Sequence, residues 1–139
     1  MRNVKSTMNV KQIILDTNFL IDLFRFRLGF DEIIDLVGAP CVFLMVQQSV
    51  DELKRVKGKY AKLGLSFVDS SKIKVVGARG QTADDAIISF ISSLKNNKKE
   101  KTLKNIFVAT NDAKLRKRLR VMCAKVIYLR AMKQLKIVN

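Results

Sequence analysis

The residues best suited to chemistry are acids at the ends of apolar runs. Asp16 lies in IILDT (13–17), Glu52 shortly after CVFLMV (41–46), Asp84 and Asp85 after KIKVV (72–76) and its glycine-bearing loop, and Asp112 just past IFVAT (106–110). The chain has only 12 Asp and Glu among 139 residues, so their recurrence at these junctions is a pattern to be explained. Three or four carboxylates converging on one pocket repel one another and lose hydration, and some are driven to protonate. A divalent cation removes that conflict. Mg²⁺ or Mn²⁺ takes hard oxygen ligands while keeping waters and a phosphate. Such an ion orients and acidifies a water and offsets the charge that develops when a phosphodiester is displaced. The alternative for each acid is local: Asp16, Asp84 and Asp112 all suit a helix N-terminus, and Glu52, three residues after Ser49, suits a capping box. Asp16, set inside its apolar run, is the one least explained by capping.

The chain has no histidine, which excludes Ser-His-Asp and Cys-His nucleophiles and imidazole-ligated zinc. Cys41 and Cys123 sit in apolar stretches without a CxxC or Cys/His cluster and read as buried, reduced thiols. Against the 12 acids stand 27 Lys and Arg, a net charge of +15. So strong a positive field predicts a polyanionic partner, nucleic acid before an anionic membrane surface, since no basic amphipathic helix with aromatic anchors is evident. The polar, basic N-terminus does not resemble a secretory leader, and the apolar runs are too short to span a bilayer. A cytoplasmic location without a membrane partner is expected.

Bringing these acids together requires a particular order of elements. IILDT reads as a buried strand, followed by a helix with Leu20, Leu23 and Phe24 at helical spacing and a second short helix over 31–37. Gly38-Ala39-Pro40 turns into the strand CVFLMV; Ser49 then caps a helix running to about Lys57, and another covers 60–67. After the strand KIKVV and a loop over Gly77 to Gly80, Thr82 caps a helix with Ala86, Ile87, Phe90, Ile91 and Leu94 on one stripe. Lys95 to Lys104 reads as an exposed helix end and loop, IFVAT as a strand, Asp112 as the start of a basic helix and VIYL (126–129) as the last strand. With one proline, no linker and no repeat, one domain is expected over 1–139, its core about 12–130, with short basic extensions at both ends. Apolar strands alternating with amphipathic helices predict an α/β fold, a parallel sheet covered on both faces. Open parallel sheets bind ligands at the carboxyl ends of their strands, and all five acids fall on that edge.

Taken in order, ILDTNFLID (14–22), SVDELKR (49–55), TADDAII (82–88) and FVATNDAKLRKRL (107–119) resemble the PIN-domain family of ribonucleases, over about residues 12–130. The resemblance implies a three-layer α/β/α sandwich with a central, mostly parallel sheet of four to five strands. It implies a Mg²⁺- or Mn²⁺-dependent endoribonuclease that cleaves single-stranded RNA by attack of a metal-activated water. It also implies Asp16, Glu52, Asp84 and Asp112 as the catalytic, metal-holding acids, with Thr17, Asn18, Thr110 and Asn111 orienting them or the water. Asp85 stands where the family usually carries a small residue, and is either an additional ligand or the sign of a register shifted by one. Neighbouring side chains on a helix point about 100° apart, so Asp84 and Asp85 do not face one ion equally well.

Around the acids, Lys54, Arg55, Lys114, Arg116, Lys117, Arg118 and Arg120 are candidates for RNA phosphate contacts, with Lys57, Lys59 and the Lys95–Lys99 segment as further basic clusters. Phe26, Phe30 and Tyr60 are the aromatic residues expected to be exposed for base stacking. Three roles fit the resemblance: RNA processing or decay, as in stand-alone archaeal PIN proteins; a VapC-type toxin held by a small antitoxin; and a catalytically silent RNA-binding scaffold in a ribonucleoprotein. A homodimer is also implied. A phosphoacceptor receiver domain fits poorly, because it wants paired acids after the first strand and a Lys after the last, where Asp16-Thr17 and Leu129-Arg130 stand.

Overall fold

The computed structural model describes residues 10–96, 104–131 and 133–138. Along the chain run β1 (Lys11–Leu15), α1 (Thr17–Arg25), α2 (Phe30–Val37), β2 (Cys41–Val46), α3 (Gln47–Arg55), α4 (Lys59–Asp69), β3 (Ile73–Val76), α5 (Ala83–Asn96), β4 (Ile106–Ala109), α6 (Ala113–Val121), β5 (Lys125–Arg130) and β6 (Gln134–Val138). The strands form one sheet in the order β3-β2-β1-β4-β5-β6. The first five are parallel, and β6 returns antiparallel beside β5.

Side-chain alternation along each strand divides the interior in two. Ile13 and Leu15 of β1 face one way, with Phe43, Met45 and Phe107, and are covered by Phe19, Leu20 and Leu23 of α1, Ile33 of α2, Leu53 of α3 and Ala61 of α4. Ile14 faces the other way with Leu44, Val108 and Val126, beneath Ala86, Ile87 and Ile91 of α5 and Leu115 and Leu119 of α6. Strands buried on both faces have no polar positions to alternate, so they read in the sequence as unbroken apolar runs. The result is a three-layer α/β/α sandwich.

The sheet has six strands where four to five were expected. The unforeseen strand, β6, occupies the supposed C-terminal extension and pairs with β5 from Val126↔Val138 to Arg130↔Gln134. Its turn carries no glycine or asparagine to announce it; Ala131 takes the left-handed conformation instead, at φ 53°. The helix after β2 also starts earlier than expected. It opens at Gln47 with Val46 as its cap residue and no side-chain cap, so Ser49 is not a cap. Ser49 lies inside the helix, fully buried, and the helix ends at Arg55 rather than Lys57.

The cysteines and aromatics differ from expectation as well. Both thiols are free, but Cys41 is half-buried and Cys123 exposed, because Cys123 sits in the turn after α6 at φ 60° rather than on a strand. Phe30 stacks on Phe43 with ring centroids 4.2 Å apart and also meets Phe24 and Phe67. Tyr60 packs against the same core and Phe26 is half-buried. Apolar area gained by packing outweighs exposure for Phe30 and Tyr60. Of the Lys95–Lys104 segment, residues 97–103 lie outside the described residues. Among the described residues, no helix is long and apolar enough to cross a membrane.

Candidate active site

Strand β1 is flanked by β2 on one side and β4 on the other, so the chain's winding reverses at β1. The crevice beyond the carboxyl ends at such a reversal is where open parallel sheets place their ligands. Asp16 stands there. It leaves β1 in extended conformation and caps α1, accepting the Thr17 backbone N–H at 3.0 Å. Its own N–H donates to Ala109 O of β4 at 2.9 Å. Its other carboxylate oxygen accepts the Thr110 hydroxyl at 2.8 Å. The capping role is therefore real, but a cap does not need burial, and Asp16 is only 5% exposed.

The surroundings hold this carboxyl well above the usual carboxylate range, at about 6. Burial is the largest cause; the nearby charges of Asp84 and Glu52 push the same way, and the hydrogen bonds from Thr110 and Thr17 oppose them. Asp84, half-buried in the first turn of α5, is also raised, first by burial, then by the charges of Asp112 and Glu52 and a hydrogen bond shared with Asp112, with Arg118 acting against them. The charges of Asp84 and Glu52 reach Asp16, and those of Asp112 and Glu52 reach Asp84, so these strand-end acids lie near one another.

Neighbouring groups fix each acid. Thr110, fully buried, donates to Asp16 and accepts the Asp112 N–H at 3.1 Å, tying the ends of β1 and β4 to the start of α6. Asp112 caps α6, accepting from Lys114 N at 2.8 Å and Leu115 N at 3.4 Å through one oxygen. Thr17, also buried, donates to the Ser49 carbonyl at 3.1 Å and so fastens α1 to the helix that carries Glu52. Glu52, freed from any capping box by the early start of α3, is half-buried. Asp85 is diverted. It accepts from Arg118 at 3.1 Å with about half its side chain exposed, so Asp84 rather than Asp85 joins the other acids. Asn18 is exposed on the rim, lining a cavity of about 480 Å³ with Asp22, Arg25, Asn111 and Asp112.

Three residues near the site have roles that sequence reasoning did not assign. Asp22 accepts from Asn111 Nδ2 at 3.1 Å while Asn111 Oδ1 accepts the Leu129 N–H at 2.8 Å, so Asn111 bridges α1 and β5. Gln48 donates to the carbonyls of Ala78 and Gly80 at 2.9 and 2.7 Å, holding the loop that leads to Asp84 against α3. Gly80, at φ 141°, passes so near α5 that a Cβ would meet the Ala86 nitrogen at 2.7 Å. The pairing of Gln48 with a loop thirty residues on has no local signal; only the motif ILDTNFLID, which ends on Asp22, hinted at that acid.

Among the described residues, no three carboxylates are drawn tightly enough to close directly on one ion. The donor set nonetheless fits Mg²⁺ or Mn²⁺, which bind through one or two carboxylates and fill their remaining positions with water and phosphate oxygens. The raised, mutually repelling carboxyls of Asp16 and Asp84 have the electrostatics of acids lacking a counter-ion. Of the candidate phosphate-binding cations, Lys54, Arg55, Lys114, Lys117, Arg118 and Arg120 are exposed and Arg116 half-buried; Arg118 is engaged by Asp85.

Comparison with known proteins agrees with this geometry. Ribonuclease VapC4 of Methanocaldococcus jannaschii is 29% identical over 116 residues, covering 78% of this chain and 82% of that protein. A solved structure of the PIN domain endonuclease Utp24 superposes with a TM-score of 0.71 at 20% identity, over 91% of this chain and 90% of that one, a likeness of fold. The family model described as a PIN like domain matches residues 13–132. The fold, the strand-end carboxylates and this match over most of the chain establish that the protein belongs to the PIN-like domain family.

Proposed function

We propose that the protein is a divalent-metal-dependent endoribonuclease acting on single-stranded RNA. The observation that carries this reading is the meeting of Asp16, Glu52, Asp84 and Asp112 at the switch point of the sheet, with Asp16 and Asp84 raised by burial and by their neighbours' charges. These acids would hold a Mg²⁺ or Mn²⁺ ion, which would supply positive charge to acidify a water and to offset charge developing on a phosphodiester. The protein's own part is to orient. Thr110 and Thr17 aim the Asp16 carboxylate, Asp112 and Glu52 stand across from Asp84, and Asn111 is locked by Asp22 at the edge of the cavity. The net charge of +15 gathers the polyanion around this acidic centre.

RNA processing or decay is the broad role. Similarity to a protein named Ribonuclease VapC4 favours a second reading, a toxin ribonuclease held by a small antitoxin. A silent scaffold is disfavoured, since scaffolds tend to lose acids and this chain keeps all four. The purified chain is expected to cleave single-stranded RNA in Mn²⁺ and to stop when the ion is chelated. RNA affinity is expected to fall steeply with salt, its logarithm falling linearly with the logarithm of salt concentration at a slope of about −0.7 per phosphate contacted. Cleavage that persists in chelator, or affinity indifferent to salt, contradicts the proposal.

A further inference from the structure

Helix α6 carries more than the acid at its start. Ala113, Arg116, Lys117 and Arg120, spaced i, i+3, i+4 and i+7, form one stripe along it. That stripe is one wall of a groove of about 240 Å³ whose remaining lining is Ala124, Val126, Tyr128 and Val138. Val126 and Tyr128 lie on β5 opposite Val138 and Lys136 of β6, so the floor is the part of the sheet that continues past α6. Two features give the groove a chemical character. Its floor is apolar, and its rim is cationic, with the Arg116 guanidinium 4.7 Å from the centre of the Tyr128 ring. Arg118, on the other side of the helix, is occupied by Asp85.

The groove begins at Ala113, the residue after the acid Asp112. Asp112 caps the helix whose stripe leads into it, and from Asp112 to Arg120 the axis advances ~12 Å, about three to four stacked nucleotide steps. Cations spaced along the path suit phosphates. The apolar floor with its arginine-backed tyrosine suits the face of a nucleobase, because stacking needs a flat apolar surface and no particular donors or acceptors. We infer that the groove between α6 and β5–β6 receives a base of the same single-stranded RNA whose scissile phosphate lies at the carboxylates. This rests on the ribonuclease reading above, and it makes Tyr128, half-buried like Phe26 and Tyr60 but lining the groove, the stacking platform.

The test is equilibrium binding, by fluorescence anisotropy in chelator so that no cleavage intervenes. One probe is a 2′-O-methyl RNA of roughly 12 nucleotides, and the other an abasic chain of equal length and charge. The wild-type protein is expected to prefer the base-bearing probe by about five- to tenfold. Tyr128→Leu is expected to erase that preference, Tyr128→Phe to keep it, and the exposed Arg120→Glu to weaken both probes alike. Should Tyr128→Leu not fold, the wild-type preference and the Arg120→Glu arm still decide. A wild-type protein that does not distinguish the probes overturns the inference. So does a Tyr128→Leu variant that keeps the preference. A protein that neither binds nor cleaves RNA removes the ribonuclease reading itself, whereas cleavage together with a neutral Tyr128→Leu removes only the base site.

Discussion

Replacing Asp16 by Asn is expected to abolish cleavage and, at the same time, to make the cation-free protein more stable. The loss follows from removing the central acid from the set that would hold the ion. Several kcal/mol of transition-state stabilisation correspond to about a thousandfold or more in rate. The gain in stability follows from linkage. The folded carboxyl titrates at about 6 against 3.8 for a free one, so the folded chain prefers the protonated form. The penalty for ionising it is absent below pH ~4, grows between ~4 and ~6, and is complete above; over that interval it amounts to about 3 kcal/mol. Asparagine removes the charge and remains paired. Its oxygen still accepts from Thr17, and its amide donates to the Thr110 hydroxyl, which turns to accept. Thermal unfolding in chelator is therefore expected to show Asp16→Asn about 1–3 kcal/mol more stable than wild type at pH 7.5 and level with it near pH 4. A destabilised variant at pH 7.5 with full cleavage activity contradicts both halves of this account.

Gly80→Ala is expected to do the opposite, costing stability and activity together. At φ 141° a side chain is strained in any surroundings, and here the added Cβ meets backbone atoms of Asp85 and Ala86 at 2.9 and 2.7 Å. Backbone on the first turn of a helix cannot step aside as a flexible side chain does, so the loop or the start of α5 must move. The expected cost is about 2–3 kcal/mol of stability. A shift of even about 1 Å in Asp84 is expected to lower the cleavage rate by about ten- to a hundredfold. Gly38→Ala provides the contrast. It also has positive φ, 75°, but its Cβ would meet nothing within 4 Å, so it is expected to lose only about 1 kcal/mol and no activity. Equal effects at the two glycines would show that the close approach at Gly80 does not position the site.

What was legible in the sequence follows from what is local in the fold. Strands β1, β2 and β4 are buried on both faces and stand out as apolar runs, and helix starts at Thr82-Ala83 and Asp112 carry their caps in the sequence. The acids at their ends could be placed on one edge because parallel strands all run the same way. The start of α3 carries no such mark, since Val46 leads directly into the helix with no capping side chain. Strand β6 was hidden by a turn on Ala131. Adjacent, identical residues leave Asp84 and Asp85 alike in the sequence; the contact that distinguishes them in the fold is the ion pair of Asp85 with the distant Arg118. Gln48 and Asp22 act through partners thirty and eighty-nine positions away, a distance no periodicity reports.

The central claim is that Asp16, Glu52, Asp84 and Asp112 form a site for a divalent cation, and it is tested most directly by calorimetric titration of Mn²⁺ into the purified protein and two variants. Wild type and Asp85→Asn are expected to bind the ion alike, and Asp84→Asn to lose about tenfold or more in affinity. The reverse order of the two variants, or a wild-type protein that takes up no Mn²⁺, would contradict the account.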